Sequence, residues 1–114
     1  NLNEIDKFKD LILICHYVDN NIKLYKNLNN NVKLFKDDEE LTKNINDATE
    51  AYYYWDNLWS YRDSNSYMHL FNNDQELTKD LKNIIGIGEY NENEWYCVDN
   101  KRNVSILKIN KIKH

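Results

Sequence analysis

Leu34-Phe35-Lys36-Asp37-Asp38-Glu39-Glu40-Leu41-Thr42-Lys43 and Leu70-Phe71-Asn72-Asn73-Asp74-Gln75-Glu76-Leu77-Thr78-Lys79 are one ten-residue phrase written twice, 36 positions apart. Leu, Phe, Asp, Glu, Leu, Thr and Lys coincide, and most of the mismatches are conservative. The interval holds outward from the phrase. Tyr54 falls on Tyr90, Asn57 on Asn93, Trp59 on Trp95 and Asp63 on Asp99. Backward, Asn21 falls on Asn57, Tyr25 on Tyr61, Lys26 on Arg62, and Glu4, Ile5 and Lys7 on Glu40, Leu41 and Lys43. The 114 residues therefore read as one domain of three internal repeats, approximately 1–36, 37–72 and 73–114, with no insertion. A fixed period of this size is the mark of repeat architecture.

Each unit has the same internal order. A short polar-capped helix is expected first. In the middle unit Asp37 or Asp38 supplies the cap, Glu39 and Glu40 suit the positive helix start, and Leu41 and Ile45 share a face. Asp74, Gln75-Glu76, Leu77 and Leu81 repeat the pattern. Strands are expected next over 11–18, 51–55 and 84–90. Asp/Asn turns follow, since these residues tolerate left-handed backbone. Second strands are read at 22–25, 58–62 and 94–98, and third strands at 32–35, 67–71 and 104–109, on aromatic and β-branched content. The fold class expected is α+β and β-rich, with three tandem 36-residue units, each a short helix plus a three-stranded antiparallel meander. Val32 with Leu34, Met68 with Leu70 and Val104 with Ile106 share one side of the third strands.

Composition narrows the function classes. Apolar residues make up 41% of the chain, which is too many for disorder driven by lack of hydrophobicity. The longest apolar run, Leu11-Ile12-Leu13-Ile14-Cys15, is strand-length and far short of a membrane span. No signal peptide opens the sequence, and the start at Asn1 rather than Met suits a processed or excised piece. The net charge of −4 argues against nucleic acid, with only Lys101, Arg102, Lys108, Lys111 and Lys113 locally basic. Cys15 and Cys97 fit two thiols in a reducing cytosol better than a disulfide, and they lack the company a zinc site requires. The Asn103-Val104-Ser105 acceptor pattern points the other way, toward secretion. Asn is abundant and Pro absent, a composition that looks like AT-rich coding bias. With Gly86 and Gly88 the only glycines, Gly-rich phosphate loops and dinucleotide fingerprints are excluded.

The strand Trp95-Tyr96-Cys97-Val98-Asp99 after a polar turn resembles tandem Trp-Gly hairpin repeats, with Tyr96 standing where those repeats carry their defining glycine. Gly86-Ile87-Gly88-Glu89-Tyr90 resembles one strand of a class of bacterial immunity domains. Neither resemblance extends beyond a strand, and neither assigns a family.

The densest feature is aromatic. Tyr52, Tyr53, Tyr54 and Trp55 are consecutive, and Trp59, Tyr61 and Trp95 accompany them. Side chains on a strand alternate in direction, so four aromatics in a row cannot all face inward. Tyr and Trp are also the residues enriched at binding hot spots. These seven are the expected binding residues. His16 and His69 read as strand histidines rather than general bases, and no His pair has metal-ligand spacing. The acidic clusters 37–40 and 74–76 recur at one phase, which argues for a repeated structural task. No calcium loop, nucleophile elbow or base beside Cys97 is present in the sequence. No catalytic residue, metal or cofactor is expected. The functional expectation is a non-enzymatic protein-interaction domain of small inhibitor or immunity type, with a protein partner. The alternative is a carbohydrate or small-ligand binding module using Trp59 and Trp95, although Lys23 occupies that phase in the first unit.

Overall fold

Asn or Asp takes left-handed backbone at many turns of the chain, among them Asn21, Asn30, Asp37, Asp56 and Asn73. A computed structural model describes residues 8–109. Its strands are β1 (Ile12–Tyr17), β2 (Ile22–Lys26), β3 (Val32–Lys36), β4 (Glu39–Glu40), β5 (Glu50–Tyr53), β6 (Leu58–Arg62), β7 (Met68–Asn72), β8 (Gln75–Glu76), β9 (Ile84–Asn91), β10 (Glu94–Asp99) and β11 (Val104–Lys108). They form three separate antiparallel sheets, ordered β1-β2-β3-β4, β5-β6-β7-β8 and β9-β10-β11. The strands β3, β7 and β11 begin at Val32, Met68 and Val104, and β2, β6 and β10 at Ile22, Leu58 and Glu94, so each step is 36 residues.

The turn between second and third strands has the same bonds in all three sheets. Asn27 Oδ1 accepts the backbone N–H groups of Asn29 (2.9 Å) and Asn31 (3.0 Å). Asp63 Oδ1 accepts those of Asn65 (2.8 Å) and Tyr67 (3.0 Å). Asp99 Oδ1 accepts those of Lys101 and Asn103, both at 2.9 Å. The residue before the last acceptor partner has positive φ each time, at Asn30 (65°), Ser66 (71°) and Arg102 (69°). A short acidic or amide side chain thus satisfies two turn donors that would otherwise need water.

Among the described residues, the helices expected at the starts of the second and third units are absent. Strands make up 52% of the described residues, 3% are helical, and the latter amount to the 3₁₀ turn Val18–Asn20. The segment 37–45 is instead a hairpin. Asp37 and Asp38 both have positive φ (51° and 64°), and Lys36 pairs with Glu39, which defines a two-residue loop whose twist matches that of the strands. Asn72 pairs with Gln75 in the same manner around Asn73 (φ 54°). The ladder then continues, with Leu41 N–H donating to Leu34 O (2.8 Å) and Leu77 N–H to Leu70 O (2.7 Å). The Leu41/Ile45 and Leu77/Leu81 spacing records one isolated turn. Ile45 N–H bonds Thr42 O at 3.0 Å and Leu81 N–H bonds Thr78 O at 2.9 Å, and the chain then straightens. A single turn fixes several dihedrals for one bond, so it does not propagate without a longer run of helix formers. The corresponding helix expected around Glu4–Lys7 lies outside the described residues.

The chain divides into two compact units, Asn1–Ala51 and Tyr52–His114. In the first, Phe8, Tyr25 and Phe35 pack edge to tilt with ring centroids 5.1 to 5.6 Å apart, and Ile22, Val32, Leu34 and Ala48 are buried. In the second, one cluster gathers Leu58, Leu70 and Trp95 with Ile87 and Leu107 packed against it, and another gathers Met68, Ile84 and Cys97. Strand β6 is buried on both faces. Gly88 allows a close approach, since a Cβ there would meet the Tyr96 hydroxyl at 2.5 Å and its ring at 2.6 Å unless that side chain moved. Cys15 and Cys97 are both free thiols, and burial pushes Cys97 up to about 11.

Candidate functional site

Strand alternation sorts the aromatic belt into three groups. Trp59 and Tyr61 point to one side of β6 and pair across the ladder with Phe71 and His69. Trp59 stacks on Phe71 at 4.6 Å and 17°, and Tyr61 stacks on His69 at 4.6 Å and 12°. Both belt residues are buried, and the indole Nε1–H of Trp59 donates to Asn73 O at 2.7 Å. Trp95 is also buried, with Tyr54 at 4.8 Å and Trp55 at 5.5 Å. The consecutive run Tyr52–Trp55 keeps surface. Tyr52 is exposed, while Tyr53, Tyr54 and Trp55 are half-buried.

Two of the half-buried rings are anchored by their hydroxyls. Tyr53 Oη accepts Asn57 N–H at 3.0 Å. Tyr54 Oη and Ser60 Oγ lie 2.7 Å apart, and burial raises the Tyr54 phenol above its ordinary value against the opposing effect of that bond. Tyr53 and Tyr54 are held by these bonds, Tyr54 and Trp55 by tilted and edge-on ring contacts, and all three keep part of their surface exposed. Such a surface suits recognition, since little side-chain entropy remains to be lost when a partner arrives.

A second constellation lies on the same sheet. The His69 Nε2 is 2.8 Å from Asp63 Oδ2 and Nδ1 is 3.0 Å from Glu76 Oε2. Two carboxylates that each accept from one ring nitrogen require the doubly protonated imidazolium. Partial burial opposes the charged ring, but the bonds to Asp63 and Glu76 outweigh it and raise the His69 pKa. Burial likewise opposes ionisation of Asp63, and the bonds from His69, Tyr67 N–H and Asn65 N–H outweigh it to lower its pKa. In that imidazolium form both nitrogens donate, and the ring then has no lone pair to offer as a general base. It ties the β6–β7 turn to β8.

The sequence did not reveal Asp63 and Glu76 as partners of His69. The available signal was the 36-residue phase, at which Lys33 faces Glu40 as His69 faces Glu76. Lys33 Nζ lies 3.5 Å from Glu40 Oε2. His16 lies on β1, with its Nε2 3.3 Å from Asn21 Oδ1. Among the described residues, no group of three or more His, Cys, Asp or Glu is placed to hold a metal ion. No helix among them is long and apolar enough to cross a membrane. Comparison with protein families, curated proteins and solved structures returns no match for this chain.

Proposed function

We propose that the chain is a non-enzymatic protein-interaction domain, of small inhibitor or immunity type, whose contact is the aromatic segment Tyr52–Trp55. The observation that carries this reading is the exposed Tyr52 next to Tyr53, Tyr54 and Trp55, three rings fixed from behind by Asn57, Ser60 and Trp95. Aromatic anchors with restricted rotamers concentrate binding energy. Trp59, Tyr61 and Trp95 enter the proposal as the packed support of that segment rather than as its contact. The alternative carbohydrate reading relied on Trp59 and Trp95 as equivalent platforms. Both are buried, so protein binding is favoured.

The test is a pull-down from the native source at two salt concentrations, with wild type and with Tyr52→Ala/Trp55→Ala. One dominant partner should resist high salt with the wild type and fall by about thirtyfold in affinity with the variant, the scale of a hot-spot truncation. Far-UV circular dichroism checks that the variant keeps its strands. A partner bound equally by both proteins overturns the contact assignment.

A further inference from the structure

One oxygen in the second hairpin serves two donors. Glu76 Oε2 lies 3.0 Å from His69 Nδ1 and also accepts the Thr78 hydroxyl at 3.0 Å. On the far side of the ring, His69 Nε2 lies 2.8 Å from Asp63 Oδ2. Among the described residues, the charged groups acting on the ring are these two carboxylates, one from the β6–β7 turn and one from β8. Strand β6 contributes the Tyr61 ring, stacked on His69, and the Arg62 guanidinium, which donates to Ser66 O and Met68 Sδ.

An imidazolium satisfies both carboxylates, and a neutral imidazole cannot. The neutral ring has one N–H and one lone pair, so one nitrogen then faces a carboxylate oxygen with no proton between them. Which contact survives depends on how each carboxylate is held. Asp63 Oδ1 accepts Asn65 N–H at 2.8 Å and Tyr67 N–H at 3.0 Å, so this carboxylate cannot leave the ring without dismantling its turn. Its side chain is 12% exposed, against 29% for Glu76. A carboxylate parted from its donor costs less where water takes the donor's place. Glu76 also has one more rotatable bond than Asp63. It ends a two-residue edge strand paired to β7 only at Phe71 and Asn72. Segments with so few ladder bonds lie at the low-stability end of a fold.

We propose that Asp63, His69 and Glu76 form a one-sided pH latch: the ring gives up its Nδ1 proton, keeps Asp63 through Nε2–H, and releases Glu76. The β7–β8 hairpin then loosens at its Glu76 end while the β6–β7 turn stays closed. Thr78 carries the change inward, because its hydroxyl joins Glu76 to the buried Leu70 N–H. The latch uses none of the Tyr52–Trp55 segment, and either can fail without the other.

Imidazole nitrogen NMR and amide hydrogen exchange on the full chain, followed through the pH range in which His69 titrates, test this. That range lies above the ordinary imidazole value of about 6.5, since both carboxylates favour the charged ring. Neutral His69 should carry its proton on Nε2. The Leu77 amide, which donates to Leu70 O beside Glu76, should lose protection by up to about tenfold per pH unit through that range and level off beyond it. The Tyr67 amide should keep its protection. Two variants separate the latch from the intrinsic preference of an imidazole. Asp63→Asn keeps the turn, since Asn27 makes the same bonds at that phase, and its side-chain amide donates to Nε2. Neutral His69 should then carry its proton on Nδ1 and hold Glu76. Glu76→Gln offers a donor to the bare Nδ1, so the Leu77 amide should stay protected at alkaline pH. A wild-type neutral ring protonated on Nδ1 overturns the proposal, as does a Leu77 amide indifferent to the titration. Tyr67 protection that falls with that of Leu77, or in its place, overturns it too, and so does either variant behaving as the wild type.

Discussion

The β3–β4 and β7–β8 hairpins share a backbone and differ in one cation. In both, a buried threonine hydroxyl accepts the leucine N–H of the long strand at 3.1 Å, Leu34 to Thr42 and Leu70 to Thr78. In both, that hydroxyl donates to a glutamate Oε2 at 3.0 Å, Glu40 or Glu76. The glutamate then meets Lys33 in the first hairpin and His69 in the second. Lysine is charged at any ordinary pH, while imidazole titrates near neutrality. The pair in the second hairpin therefore depends on the charge of an imidazole, and it recruits Asp63 besides. The same hydrogen-bond frame thus carries two different electrostatic clasps.

The largest effect expected from breaking this comparison is on the shared frame. Thr78→Val and Thr42→Val each leave a buried leucine N–H unsatisfied and should cost about 1–3 kcal/mol apiece. Hydrogen exchange at the Leu70 and Leu34 amides reads the two sites separately. A loss at one hairpin with none at the other would show that the frames are not equivalent. Fluorescence alone would miss half of this, since Trp55, Trp59 and Trp95 all lie in the second unit.

The next effect concerns the titrating clasp. A raised His69 pKa stabilises the fold fully below the ordinary imidazole value of about 6.5, and that stability is lost as pH rises through the raised value. The lowered Asp63 pKa works in the other direction. Its contribution is present above the ordinary carboxylate value of about 3.9 and is lost as pH falls through the lowered value. The second unit should be most stable between these limits, with the denaturation midpoint followed by tryptophan fluorescence falling on the alkaline side. His69→Lys should abolish that alkaline fall and make the second hairpin behave like the first. An unchanged pH profile would show that the imidazolium clasp contributes nothing.

The smallest effect belongs to the Lys33–Glu40 pair. Lys33→Gln should cost less than about 1 kcal/mol, because an ion pair near solvent gains little beyond its desolvation and entropy. Exchange at amides of β3 and β4 measures it, and a larger loss would assign the difference to the bond from Lys33 Nζ to Ile45 O at 2.6 Å.

Much of the strand placement was legible. Leu58–Arg62 and Val104–Lys108 lie where alternation and β-branched content put them. The misreading came from Asp37-Asp38 and Asn73-Asp74, because the side chains that cap helices are those that tolerate positive φ. Following a strand, two such residues in succession signal a hairpin, and the two-residue strands Glu39–Glu40 and Gln75–Glu76 are too short to show a period. The candidate site was legible as aromatic density alone. That Trp59, Tyr61 and Trp95 are packed while Tyr52 is exposed depends on what covers each face, which composition does not encode. Asp63 was hidden because its partner His69 is brought beside it by cross-strand register, with Tyr61 opposite His69.

Every ladder in the three sheets joins strands that are consecutive along the chain. Each sheet can therefore close by zippering short loops, the regime of low contact order and rapid folding. The first sheet is complete once Glu40 is available, before any of Tyr52–His114 is needed for its pairing. On the ribosome, such a chain assembles in order of synthesis, and its apolar β1 edge is already paired on one side with β2 before the last strands emerge.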